Sequence, residues 1–417
     1  MVFIKIAKQL DGSWFFIDKN GKPFYSVGCT ATRYDNRPGY ESNVVVKYGS
    51  LDAWGTETVR RLKEWGFNTL GCWSLGQTYN KGLPFCPHNI DVGEYAHNHG
   101  IPLNRSFLPD CFDARWPALA REGANQVMLH SPWFAPDVIN DEQFIGWFIS
   151  NDFFIARWSP HENPDYNEAM FKGDIDSLLA LQADTDPAKA RLIELGYDYH
   201  QWLREYAELY YSVVCDAIRN VDPNHLILGT RYSAELSIPQ EDLEAAGRHV
   251  DVISVNFYQY LEYFDDFQTR CRQQLENFHA WSGKPIMITE WSIRSRQCDP
   301  DVTNATGAGP IVDTQTERGE YYRKTLLEVG SPGFMVGMHW FMWTDKAVGG
   351  ENDNFGLVKV NDDPYEFIPV VTQANKDVLA LRIPILPIDL PSIGGITLAV
   401  VDITLIGYYL AKHFGLI

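Results

Sequence analysis

The sequence predicts an α/β chain: a (β/α)8 TIM barrel with a short N-terminal β-hairpin and an apolar C-terminal extension. Eight short apolar runs recur, at 24–29, 67–73, 101–107, 144–150, 225–230, 251–257, 285–290 and 335–341. They are continuously apolar rather than alternating, the pattern of strands buried on both faces, and enough chain for a helix separates them, which implies a parallel sheet. The length of 417 residues suits one large barrel with insertions.

In chain order, residues 1–23 contain Gly12 and the Asn20-Gly21-Lys22 turn and read as a hairpin closing the floor of a barrel that spans 24–382. Helical patterns at 51–65, 199–220, 264–282 and 316–329 fall between strands. Trp65-Gly66 is a glycine C-cap signal, and Asp222-Pro223 stops the second helix. Long segments follow the first strand (30–50), the fourth (156–198) and the seventh (294–315), and loops after barrel strands build the functional face. Residues 383–417 carry only Asp389, Asp402, Lys412 and His413 among otherwise mainly apolar residues. Two readings stay open for this tail. It packs as an apolar extension, or it contacts a membrane through 392–411, since about 20 apolar residues cross a bilayer. Against the second, Asp402 would cost roughly 2.5–3.5 kcal/mol near the centre.

A net charge of −19 and a pI near 4.9 argue against nucleic acid, whose phosphates need clustered Lys and Arg. The seven cysteines form no CxxC pair, so buried reduced thiols are expected, with a Cys86–Cys111 bridge the one pairing left open. No cofactor motif is present, and His97 and His99 have metal-like spacing without a third ligand, so no metal is expected. The N-terminus lacks the charged region, apolar stretch and cleavage site of a secretory signal, which predicts a cytoplasmic chain, or one attached to a membrane by its tail.

Two strands run straight into carboxylates: GWFISND, ending at Asp152, and PIMITE, ending at Glu290. In a parallel barrel all strand C-termini open on one face, so Asn151, Asp152, Tyr258, Glu290, Trp340 and Trp343 should converge. A carboxylate after one strand is ordinarily a helix cap or an ion-pair partner; two, after strands four and seven and flanked by Asn151 and tryptophans, suit glycoside hydrolysis. There, one carboxyl protonates the leaving oxygen and the other attacks or stabilises the anomeric carbon. Arg33 and Arg231, after strands one and five, are candidate anchors for a sugar hydroxyl or a neighbouring carboxylate. Trp73 is a candidate subsite platform, and His339 either bridges buried hydroxyls or touches sugar. Glu162 and Glu168 are reserve proton donors.

The segments DGSWFFIDKNGKPFYSVGC (11–29), WGFNTLGCWS (65–74), LPDCFD (108–113), DPNHLILGTR (222–231), DVISVNFY (251–258) and VGMHWFMWTD (336–345) carry a resemblance to agarase-type glycoside hydrolases of clan A. The resemblance spans residues 11–382 with the motifs in the expected order. It implies a retaining double displacement in which Glu290 matches the nucleophile and Tyr258 the residue that orients it. Asn151 matches the residue that binds the sugar 2-hydroxyl, and Trp340 a strand-eight aromatic that stacks on the sugar. Glu351, in the run GGENDN (349–354), falls in a loop similar to a substrate-contacting one. The implied substrate is a β-linked galactan-type oligosaccharide or polysaccharide. The chain departs from the pattern at Asp152, where the acid/base is Glu: the arm is shorter by about 1.5 Å, and errors near 1 Å can cost about 100-fold in rate. A catalytically impaired sugar-binding barrel and a transglycosylase are therefore alternatives.

Overall fold

The computed structural model describes residues 1–103, 108–134, 137–152, 183, 185–233, 238–258 and 267–383. Its central element is a six-stranded sheet of parallel neighbours in the order Thr69–Leu70, Ser26–Cys29, Met335–Trp340, Ile286–Trp291, Ile253–Asn256 and Tyr232–Ser233. A further parallel pair joins Gly146–Trp147 to Leu226–Ile227. Phe85 bridges in parallel to Leu70 on one side and Phe144 on the other, and Ile227 O accepts from the amides of Asp251 and Val252. The architecture is therefore a mixed α/β fold built on parallel strands.

The helices form where the pattern places them, and their ends explain why. Leu51–Glu64 starts at Ser50, whose hydroxyl accepts from Ala53 N at 3.1 Å, and Tyr199–Val221 starts at Asp198, which accepts from Gln201 N at 2.9 Å. Gln315–Gly330 opens with a capping box between Thr314 and Glu317. Apolar residues of these helices pack with one face of the strands in one large cluster that includes Trp54, Trp202, Tyr322 and Trp340. A second cluster lies on the opposite face of the strands. Ile4 and Phe16 join Ile145, Leu226, Val252, Met287 and Val336, all near strand starts, so the N-terminal segment caps that end. The expected hairpin is a three-stranded antiparallel sheet, Lys5–Lys8, Trp14–Ile17 and Pro23–Phe24.

The third strand lies elsewhere than expected. Of 101–107, residues 104–107 lie outside the described residues and Leu103 makes only an antiparallel bridge to Pro109, whereas the place beside Leu70 is taken by Phe85. The pairing segment, Phe85-Cys86, is two residues set between prolines, too short to register as an apolar run. All seven cysteines are free, so Cys86 and Cys111 form no bridge. His97 and His99 each bond a backbone carbonyl, of Ile101 and Tyr95, and no metal-like cluster occurs among the described residues. No described helix is long and apolar enough to cross a membrane. The tail beyond Ile383, including 392–411, and Glu162 and Glu168 lie outside the described residues.

Candidate active site

Five chain segments bring polar side chains together around Glu290, which sits in the strand Ile286–Trp291 and is 7% exposed. Trp73 Nε1 donates to Glu290 Oε1 at 2.9 Å, the Arg231 guanidinium donates to the same oxygen, and Tyr258 OH donates to Oε2 at 2.8 Å. The other arm of Arg231 reaches Asn151 Oδ1. Asn151 Nδ2 donates to Asp152 Oδ2 at 2.9 Å. Asn256, at the end of its strand, donates to Asp152 Oδ1 at 2.9 Å and to Asn151 Oδ1 at 3.2 Å. The Asn256 side-chain oxygen Oδ1 accepts from Thr289 Oγ1 at 2.9 Å. Asp152 and Glu290 thus belong to one hydrogen-bonded network, joined by Asn151 and Arg231.

Three of these residues hold left-handed backbone angles that side chains other than glycine avoid: Trp73 (φ 66°), Asp152 (φ 47°) and Arg231 (φ 50°). Such conformations persist only where the surroundings enforce them, and they concentrate at functional sites. Arg231 is fully buried, with its guanidinium 5.2 Å from the centre of the Trp73 ring and 5.4 Å from that of Phe148. Burial works against its charge, but Cys72, Glu290 and Asp152 outweigh it and hold the guanidinium protonated. Burial first, then the Glu290 charge, raises the Tyr258 phenol well above its ordinary value, so it remains a donor.

Trp340 does not join them. Its side chain is fully buried on the helix side, 5.1 Å from Trp291 and 5.2 Å from Tyr322 between ring centres, and Nε1 donates to Phe355 O at 3.1 Å. Side chains alternate across a strand, so Trp340 shares its face with Met338, on the helix side. The aromatic beside the site is the next residue, Phe341, which packs edge-on with Tyr258 at 6.1 Å. Trp343 is also buried and donates to Tyr40 OH at 2.7 Å.

His339 is buried as well. Nε2 bonds Ser26 Oγ at 2.8 Å, which matches the hydroxyl-bridging reading and removes it from sugar contact. Burial and then the Arg231 charge push its imidazole down to about 3, so it is neutral. Gly28 makes room for it: a Cβ there would lie 2.3 Å from the ring. Arg33 pairs with Asp35 rather than with a catalytic carboxylate, at 2.6 Å from Nη2. Glu351 pairs with Lys346 at 2.6 Å, and the ammonium of Lys346 lies 5.9 Å from the centre of the Phe341 ring. Trp73 is only half-buried, but its indole N–H is committed to Glu290. Asn256 and Phe341 are the residues that sequence reasoning missed; both lie in motifs already singled out, DVISVNFY and VGMHWFMWTD.

Two carboxylates joined in one polar network thus stand where parallel strands of an α/β fold end. No protein-family profile matches the chain. In an alignment of 382 positions that covers 78% of the chain it is 26% identical to beta-agarase A of Vibrio sp. (strain JT0107), and in one of 408 positions that covers 82% it is 25% identical to beta-agarase B of the same strain. It spans 36% and 38% of those two proteins, little more than a third of their length. Among solved structures, an agarase, AgWH50C, superposes with a TM-score of 0.70 at 22% identity, covering 92% of this chain and 64% of that one. An exo-beta-agarase superposes at 0.67 and 21%, covering 92% and 66%. The structural likenesses establish a shared fold, and in sequence the chain resembles agarase-type glycoside hydrolases.

Proposed function

We propose that the chain is a retaining glycoside hydrolase acting on β-linked galactan-type or related oligosaccharides, with Glu290 as nucleophile and Asp152 as acid/base. We further propose that its strands close into a (β/α)8 barrel. Support for closure comes from Phe85, bridged on both sides, and from Ile227, which links the pair Gly146–Trp147 and Leu226–Ile227 to the segment after it. The catalytic reading rests on one observation: Glu290 takes donors from Trp73, Arg231 and Tyr258 and shares a network with Asp152.

A carboxylate accepts hydrogen bonds and donates none, and all three side chains around Glu290 donate. Oε1 carries two donors and Oε2 one, so Oε2 has lone-pair capacity left for attack at the anomeric carbon. Asp152 protonates the leaving oxygen and then takes a proton from the water that releases the sugar. Asn151 spends one amide hydrogen on Asp152, which leaves the other to bond a sugar hydroxyl in this mechanism.

One observation favours the alternative of an impaired, sugar-binding barrel: both Asp152 oxygens accept from amide groups, an arrangement for an acceptor rather than a proton donor. The deciding measurement is product release from agarose, porphyran and small β-galactoside and β-glucoside oligosaccharides. Cleavage by the wild-type chain, lowered about 10⁴-fold or more in Glu290→Gln and strongly in Asp152→Asn, is the expected result. Sugar binding without cleavage across the panel would instead establish the binding protein. Products longer than the substrate would mark a transglycosylase.

A further inference from the structure

The network at Glu290 continues outward through aromatic rings that the catalytic reading does not use. His88 meets Trp73 edge-on, with ring centres 4.4 Å apart, and stacks on Trp133 at 5.1 Å with 18° between the planes. Trp133 is 49% exposed, so a large indole surface faces solvent two rings away from the catalytic carboxylate. Isolated exposed apolar residues are ordinary; one stacked in register on a chain of rings that ends at Glu290 is not.

The same place offers a polar group of the right kind. The Nδ1 of His88 bonds the Asn89 carbonyl at 3.0 Å, so its proton sits there and Nε2 is left as an acceptor for a hydroxyl. Burial, with the charges of Arg231 and Arg33, lowers the His88 pKa and keeps the ring neutral. A flat apolar ring beside a hydroxyl acceptor matches a pyranose, which has an apolar C–H face and a polar rim.

We propose that Trp133 and His88 form a distal sugar-binding platform for an uncharged galactan-type chain whose cleaved bond lies at Glu290. This rests on the glycoside hydrolase reading for the identity of the ligand. Trp73, locked between Glu290, Arg231 and His88, positions the nucleophile, and the platform role belongs to Trp133.

The test is calorimetric titration of the full chain carrying Glu290→Gln, with and without Trp133→Ala or Trp133→Phe, against agarose-derived di-, tetra- and octasaccharides. The octasaccharide should bind more tightly than the disaccharide. Trp133→Ala should cut that ratio about tenfold, the fold-change equivalent of one aromatic stacking contact, and Trp133→Phe should keep most of it. Affinities with no dependence on length or on residue 133, or no binding at all, would overturn the platform. Hydrolysis by the wild-type chain is read separately: cleavage with no effect of Trp133→Ala on the binding ratio leaves the hydrolase reading standing and removes this one. Length-dependent binding through Trp133 without wild-type cleavage does the reverse.

Discussion

The two candidate catalytic carboxylates stand in opposite surroundings. Glu290 lies within a six-residue strand, nearly buried, with donors from three separate segments on its two oxygens. Asp152 lies past the end of its strand, exposed, in a left-handed backbone conformation, and bonded to two amides. The strand and its neighbours organise the first, whereas a loop residue's own backbone aims the second. A nucleophile must be held against a defined atom, and rigid elements do this better than loops. In the proposed mechanism the acid/base serves two steps in turn, and that role falls to Asp152, whose arm is short by a methylene.

The largest break in this contrast comes from removing the cation that both sides share. Arg231→Met leaves Glu290 buried without its guanidinium, and loss of one partner of a buried pair costs about 3–5 kcal/mol. The denaturation midpoint should fall accordingly, and an unchanged midpoint would show that the pair carries no net stability.

A second buried carboxylate sharpens the point. Asp242 faces the hydroxyls of Tyr211 and Tyr232 where Glu290 faces a guanidinium, and burial raises it to about 7. Its folded value lies above that of the unfolded chain, near 3.9. The stability tied to its protonated form is therefore whole below about pH 4 and is lost as pH rises to about 7. Asp242→Asn should gain on the wild type by on the order of 3 kcal/mol between pH 4 and pH 8, and a pH-independent difference would contradict the shift. The smallest expected effect concerns the short arm itself. Asp152→Glu should raise the rate of cleavage by up to about 100-fold, as restored reach allows. A fall in rate would mean that the surrounding loop has been rebuilt around aspartate.

The helices were legible because apolar period and capping residues are local. Leu51–Glu64, Tyr199–Val221 and Gln315–Gly330 lie within about one residue of the predicted 51–65, 199–220 and 316–329. Glu290, Tyr258, Asn151 and Asp152 were legible because an unbroken apolar run leads into or just ahead of each. Trp340 misled because a run of apolar residues hides which face each one takes. Only pairing register puts Trp340 on the helix side and Phe341 beside Tyr258.

The sequence by itself determined the order of elements, the two carboxylates and the apolar character of the strands, since these depend on residue type and near-neighbour spacing. Tertiary structure alone decided that Phe85 fills the third position, that Arg231 joins Glu290 to Asn151, that Asn256 holds Asp152, and that His88 carries the aromatic chain out to Trp133. Those contacts link residues 15 to 104 positions apart, and such distances close only when strands pair in register and aim their ends at a common point.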